Sequence, residues 1–296
     1  MQVPVAYLAV LLIWSTAPLA IVWSSETINP TMAVLLRMLI AVVLGSLIIS
    51  ISKIELPWHK EAIRLYSFSA LGIFGGMSFS YLAAGYLSSG ILSLAFGLAP
   101  AFSALLARRI LEEPKISITR KLAMSLSFIG LALVCADNFS FKDDSFYGLF
   151  FILTAVFLFS LSGVLVKSVS LAIHPLSTTI GALIVSLPLF IVNWLLLDGT
   201  LDIGNWQFRS IWSTIYLGVF GSLIGFFAYF FVLQKLTAST VTLITLITPV
   251  MALSLGVMLN DEVITNKILL GASLVILGLA IYHWGELLVN KLSGAR

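Results

Sequence analysis

The sequence predicts an all-α integral membrane protein of ten transmembrane helices, arranged as two inverted five-helix repeats. Three observations carry that reading. Of the 296 residues, 60% are hydrophobic and only 10% charged, whereas a soluble domain carries about 25% charged residues. So much apolar surface requires the bilayer as solvent. The chain also contains itself twice. Trp14-Ser15 recurs as Phe159-Ser160, and Asn29-Pro30 recurs as His174-Pro175 at the same separation. Gly72, Gly76, Leu87, Leu94, Pro100, Leu106 and Glu113 return as Gly221, Gly225, Leu236, Leu243, Pro249, Leu255 and Glu262. Finally, each half holds an odd number of spans, which forces the second copy to lie upside down. Inverted repeats are a recurring construction of secondary transporters, with substrate at the repeat interface. The expected units are 1–140 and 141–296.

Ten apolar segments of about 17–25 residues are each long enough to cross a bilayer as a helix. The first, Pro4–Val22, carries Trp14 at its middle and lacks the basic flank of a secretory signal, so it reads as a retained helix. Thr31–Ser52 follows Asn29-Pro30 and contains Arg37. Leu65–Leu87 has Gly72 and Gly76 at small-xxx-small spacing, which puts both on one face for close packing, and carries Tyr81. Gly90–Ala107 contains Pro100. Thr119–Ala136 follows Glu113. The second half repeats the series: Phe146–Val169 with Phe159, Ser160 and Ser162; Leu176–Leu197 after His174-Pro175; Ile211–Gln234 with Gly221, Gly225 and Tyr229; Ser239–Leu259 with Pro249; and Asn266–Val289 after Glu262.

The loop charges orient the bundle. With a cytoplasmic N-terminus, the inner loops and the C-terminal tail hold Lys53, Lys60, Arg64, Arg108, Arg109, Lys115, Arg120, Lys121, Lys167, Lys235, Lys291 and Arg296. The outer loops hold only Lys142, Arg209 and Lys267. The positive-inside rule then places both termini in the cytoplasm of an inner or plasma membrane, and a missed helix would scramble the asymmetry. Six tryptophans near span ends form an interfacial belt, and Trp14 is the exception.

Composition also excludes several classes. Cys135 is the only cysteine, so there is no intrachain disulfide and no CxxC site. His59, His174 and His283 lie in separate regions and form no metal site. No G-x-x-x-x-G-K-[ST] motif is present, so the chain does not itself hydrolyse ATP. A lipid-embedded enzyme would need a catalytic constellation within the helices, and a channel would need a continuous polar lining. The expectation is a non-enzyme with no cofactor and no nucleic-acid partner. Its partners are a small-molecule substrate and the lipid bilayer, and its oligomeric state is left open.

The doubled pattern resembles the drug/metabolite transporter superfamily, and within it the EamA-type ten-helix transporters. Trp14-Ser15-Thr16 is similar to the family's first-helix W-G-S/T signature, with Ser15 where glycine is usual. Asn29-Pro30 followed by Arg37-Met38 resembles the start of the family's second helix. Gly72, Gly76, Tyr81, Ser88-Ser89-Gly90, Pro100, Glu113 and Gly130 follow its third-to-fifth-helix pattern. Gly221, Gly225, Tyr229, Ala238-Ser239, Pro249, Glu262, Gly271 and Gly278 follow it again. Ala182 stands where the second half would carry the match to Arg37. The resemblance implies export of an amino acid, other metabolite or drug through a cavity lined by the first, third, fourth, sixth, eighth and ninth helices. Uptake is the alternative direction.

Candidate cavity residues are Trp14, Ser15, Arg37, Tyr81, Phe159, Ser160 and Tyr229. The aromatics can stack on substrate and the hydroxyls can bond it, or both can serve helix packing. Arg37 lies about two turns inside its helix, where an unpaired arginine costs from about 2.5 to more than 10 kcal/mol. It is either a counter-charge for an anionic substrate or a structural arginine holding helix-end carbonyls. Pro100 and Pro249 each remove a backbone donor at mid-span, giving bends that either gate or simply shape the bundle. Glu113 and Glu262 read as acids near the N-termini of the helices that follow them.

Overall fold

The computed structural model describes residues 2–139, 145–171, 173–235 and 244–292. The expected junction at 140 and 141, Lys142, Leu236, Ala238-Ser239, Leu243 and Arg296 lie outside these residues, as do the side chains of Cys135 and Lys291.

Regular structure among the described residues is helical throughout. In chain order the rods are α1 (Val3–Ser24), α2 (Pro30–Ser52), α3 (Lys60–Ala84), α4 (Ser89–Ile110), α5 (Ile118–Phe139), α6 (Ser145–Lys167), α7 (Pro175–Leu197), α8 (Phe208–Lys235), α9 (Ile244–Asn260) and α10 (Asn266–Leu292). Eight of them, all but α5 and α9, are long and apolar enough to cross a membrane, and Leu246–Asn260 within α9 is a shorter apolar helix. Large apolar side chains such as Leu8, Val43, Ile51 and Leu196 face outward, as a lipid-facing surface requires. The chain is a multi-pass membrane protein.

Local chemistry sets the helix starts. Asn29 caps α2 by accepting from the Thr31 N–H at 3.0 Å. His174 caps α7 through Nδ1, accepting from the Leu176 N–H at 3.2 Å. Each cap precedes a proline at the first helical position, where the missing N–H costs nothing. The recurring dipeptide is therefore one helix-start device used twice. α3 begins at Lys60, before the expected Leu65, because the His59 ring accepts from the Ala62 N–H.

Two rods depart from regular α-helix. α4 is interrupted between Ser89–Phe96 and Ala99–Ile110. Pro100 opens the second piece and cannot donate to the turn before it. Its repeat partner Pro249 sits inside an uninterrupted helix. α8 carries a π-helical stretch, Leu217–Ile224, between two α-helical pieces.

Helix neighbours exchange between the halves. α3 packs on α6 as α8 packs on α1, α3 packs on α7 as α8 packs on α2, and α4 packs on α6 as α9 packs on α1. The pairs α2–α7, α4–α9 and α5–α10 map onto themselves. Close approaches repeat as well: Gly76 faces Phe159, and Gly225 faces Trp14. The duplication read from sequence is thus a pseudo-two-fold arrangement in space, with its axis running between the halves.

Candidate functional site

Near that axis lies a cavity of about 100 Å³. Three repeat-related pairs wall it: Trp14 with Phe159, Met77 with Phe226, and Ala99 with Thr248. Arg37, Ser80, Ser93, Phe96 and Gly221 complete the lining with Ala17, Pro18 and Ile21. Ala99 and Thr248 immediately precede Pro100 and Pro249, which are not themselves among the described residues of the wall.

An aromatic layer closes one end. The Trp14 and Phe159 rings meet edge to face at 5.9 Å, and Tyr229 lies 5.1 Å from Trp14 and 5.9 Å from Phe159. Phe96 adds a fourth ring, 5.9 Å from Phe159. Phe159 and Phe226 also wall a space of only about 10 Å³ on the other side, lined by Gly72, Ser162, Val166, Tyr229 and Leu233. That second space holds about one water-sized sphere. The layer therefore divides the cavity from the end of the bundle where Lys167 and Lys235 lie.

Arg37 enters from α2. It is 2% exposed, and its Nε donates to Ser222 Oγ at 2.7 Å. Its guanidinium carbon lies 6.0 Å from the centre of the Tyr81 ring, within reach of a cation–π contact. Nη1 is buried and has no hydrogen-bond partner among the described residues. The guanidinium fits because Gly221 lacks a side chain: a Cβ there would lie 3.0 Å from Nη2. Gly221 was expected to serve helix packing with Gly225. Gly225 does face α1, through Ile13 and Trp14, but Gly221 makes room for a charge. Both Gly221 and Ser222 belong to the π-helical stretch. Such stretches cluster at functional sites because they redirect side chains.

The remaining expected residues stand apart from the cavity wall. Ser15 is buried, donating to the Leu11 carbonyl at 2.7 Å and lying 3.4 Å from Met251 Sδ. Ser160 Oγ donates to the Ala99 carbonyl at 3.3 Å and joins α6 to the break in α4. Tyr81 packs beside Arg37, and its hydroxyl accepts from Ser24 at 3.4 Å. The repeat register matches Tyr229 with Ser80 rather than with Tyr81. Sequence reading missed Met77, Phe96 and Phe226, because apolar residues inside an apolar helix carry no mark of facing a cavity, and Ser80, Ser93 and Thr248, because hydroxyls there can equally bond back to their own helix. The internal repeat was the available signal, since Met77 and Phe226, like Ala99 and Thr248, keep the separation of Pro100 from Pro249.

The other end of the cavity is closed by polar contacts. Glu262 was expected to favour the start of its own following helix, α10. Instead its carboxylate caps α4, accepting from the Ser89 N–H at 2.9 Å and the Gly90 N–H at 3.2 Å. The cause is a left-handed residue, Asp261 (φ 49°), which ends α9 and turns the chain back, with the Glu262 N–H donating to the Gly256 carbonyl. Nearby, the Trp23 indole donates to Asn260 Oδ1 at 2.7 Å, and Arg209 pairs with Glu26. Contacts among α1, α4, α8 and α9 thus shut this face. The turn itself is duplicated. Glu112 (φ 55°) ends α4, and the Glu113 N–H donates to the Ala107 carbonyl. Glu113 is exposed.

Known proteins share this organisation. The chain is 28% identical over 272 residues to an uncharacterized transporter of Archaeoglobus fulgidus, covering 90% of this chain and 94% of that one. It is 24% identical over 280 residues to the uncharacterized transporter YoaV of Bacillus subtilis, covering 94% and 95%. It is also 24% identical to protein PagO of Salmonella typhimurium, covering 86% and 84%. One solved protein structure superposes over 95% of this chain and 96% of its own with a TM-score of 0.65 at 16% identity, a likeness of fold alone. The profile of the EamA-like transporter family matches residues 3–136 and again residues 146–284, so the two halves that build the cavity are two copies of one family domain, and the chain belongs to the EamA-like transporter family.

Proposed function

We propose that the chain is a secondary transporter that exports a small organic metabolite, an amino acid or a related compound, by alternating access. In this reading α5 and α9 complete ten crossings of the inner or plasma membrane. The loop charges put both termini in the cytoplasm. Substrate binds in the cavity between the halves.

The observation that carries the reading is the placement of the cavity among repeat-related pairs. A site on a pseudo-two-fold axis is reached equally from either face when the halves exchange conformations. The two ends are closed by different means, an aromatic layer at one and the Glu262 contacts at the other, so each can open without the other. The small volume favours a metabolite over a bulky drug. Export rather than uptake rests on the family resemblance.

Counterflow in proteoliposomes tests this. Vesicles loaded with one unlabelled amino acid or organic acid should take up the labelled compound transiently and with saturation. Flux that rises linearly with concentration would point to a channel and defeat the carrier reading. An N-terminal reporter that fluoresces only in the cytoplasm tests the orientation.

A further inference from the structure

We infer that the cavity selects a small monoanion with an apolar body, such as a short-chain or branched-chain carboxylate, and that the Arg37 guanidinium holds the anionic group. This narrows the transport reading above to a compound related to an amino acid but without its ammonium group, and rests on that reading for its biological meaning; the binding it describes is tested separately.

Among the described residues, Arg37 is the only charged one on the cavity wall, and it is 2% exposed. Arginine cannot shed its charge to escape burial. Its neighbours meet the charge only in part. Ser222 Oγ accepts a hydrogen bond from Nε, and Tyr81 offers a ring face. Neither is an anion, and Nη1 is left without an acceptor among the described residues. A buried cation with an unused donor on a cavity wall is completed by an anion from outside the chain. Guanidinium is suited to carboxylate, since its planar donors match the two oxygens.

The rest of the wall describes the rest of the ligand. Trp14, Met77, Phe96, Phe159 and Phe226 present apolar surface. Ser80, Ser93 and Thr248 supply hydroxyls but no charge, and Ser80 Oγ is itself without a partner among the described residues. Among the described residues the wall offers no aspartate or glutamate to a second, positive group. The chain between α8 and α9, residues 236–243, contains no acidic residue either. Aromatic faces return only part of the hydration that an ammonium gives up. An anion with a hydrocarbon body is therefore preferred to a zwitterionic amino acid. The size limit follows from volume. A dry apolar cavity of about 150 Å³ admits benzene, and this one is about 100 Å³.

The shared chemistry is an anion at the Arg37 guanidinium, which has two sources: a carboxylate substrate or a resident chloride. The purified full chain is assayed for thermal stabilisation in chloride-free sulfate buffer, against isovalerate, butyrate and propionate, their primary amides, valine, and chloride. The expected result is stabilisation by at least one carboxylate, with affinity roughly tenfold or more above that of its amide, as for the loss of one charge-assisted hydrogen bond. The preference should collapse to near unity in Arg37→Gln. Should that variant fail to fold, Gly221→Ala, which crowds Nη2, should weaken the carboxylate and not the amide. Equal affinity for acid and amide overturns the inference. So does stabilisation by chloride alone, or valine binding more tightly than isovalerate. These results leave the carrier reading standing if counterflow is seen with another compound. Carboxylate binding without counterflow would instead sink the carrier reading and keep the subsite.

Discussion

The guanidinium of Arg37 occupies the space that Gly221 leaves by having no side chain, and other helix glycines admit different neighbours. Arg37 is conspicuous in sequence, because a lone cation inside an apolar helix demands an account. Gly221 is not, because four-residue glycine spacing says that something comes close without saying what. The structure distinguishes three glycines by what a methyl would meet. At Gly72 it would strike the Ser162 side chain, whose Oγ is fixed by donating to the Phe68 carbonyl. Gly72→Ala should force α3 from α6 and cost about 1–3 kcal/mol, as overpacking does. At Gly221 the methyl meets the far end of a flexible arginine, so Gly221→Ala should keep most of its stability while displacing the guanidinium. At Gly163 the nearest atom is the Tyr229 hydroxyl at 3.7 Å, and Gly163→Ala should alter neither property. Melting temperature and counterflow, measured on all three, separate the outcomes. A large loss of stability in Gly221→Ala, or none in Gly72→Ala, would contradict the assignment.

At the scale of the element, the most consequential contact is one that no local pattern predicts. An acid just before an apolar run suggests a cap on that run. The left-handed turn at Asp261 sends Glu262 to α4 instead, a helix far away in sequence. Helix starts at Asn29-Pro30 and His174-Pro175 were legible because their partners lie two residues on. The α4 cap, the break before Pro100 and the π-helical stretch of α8 were not, because tertiary packing decides them. Glu262→Ala removes an anion and two accepted bonds from a helix N-terminus, which should destabilise the protein by about 1–2 kcal/mol. It should also loosen the face that Glu262 holds shut. With Cys135 replaced by serine and a cysteine placed at Ser93 on the cavity wall, a membrane-impermeant thiol reagent applied from that face should label the Glu262→Ala variant faster. Unchanged labelling would mean that Trp23–Asn260 and Arg209–Glu26 close the face unaided.

The whole molecule adds a constraint that neither residue nor element contains. The main helix contacts have counterparts in the other half, and the turn that aims Glu262 is built again before Glu113. The register that matches Glu113 with Glu262 also matches Gly90, which Glu262 caps, with Ser239. Ser239 lies outside the described residues. On the alternating-access reading, the conformation opposite to this one exchanges the roles of the halves: Glu262 leaves α4, and Glu113, exposed here, takes up the start of α9. The two glutamates are then latches on opposite faces, and their loss must have opposite effects. Glu262→Gln should raise labelling of the Ser93 cysteine from its own face and lower it from the basic face. Glu113→Gln should do the reverse, with a change of several-fold expected from about 1 kcal/mol of bias between two states. Measured on right-side-out and inverted vesicles, shifts of the same sign for both variants would show that the glutamates serve stability alone, and would leave the two-fold symmetry as scaffold rather than mechanism.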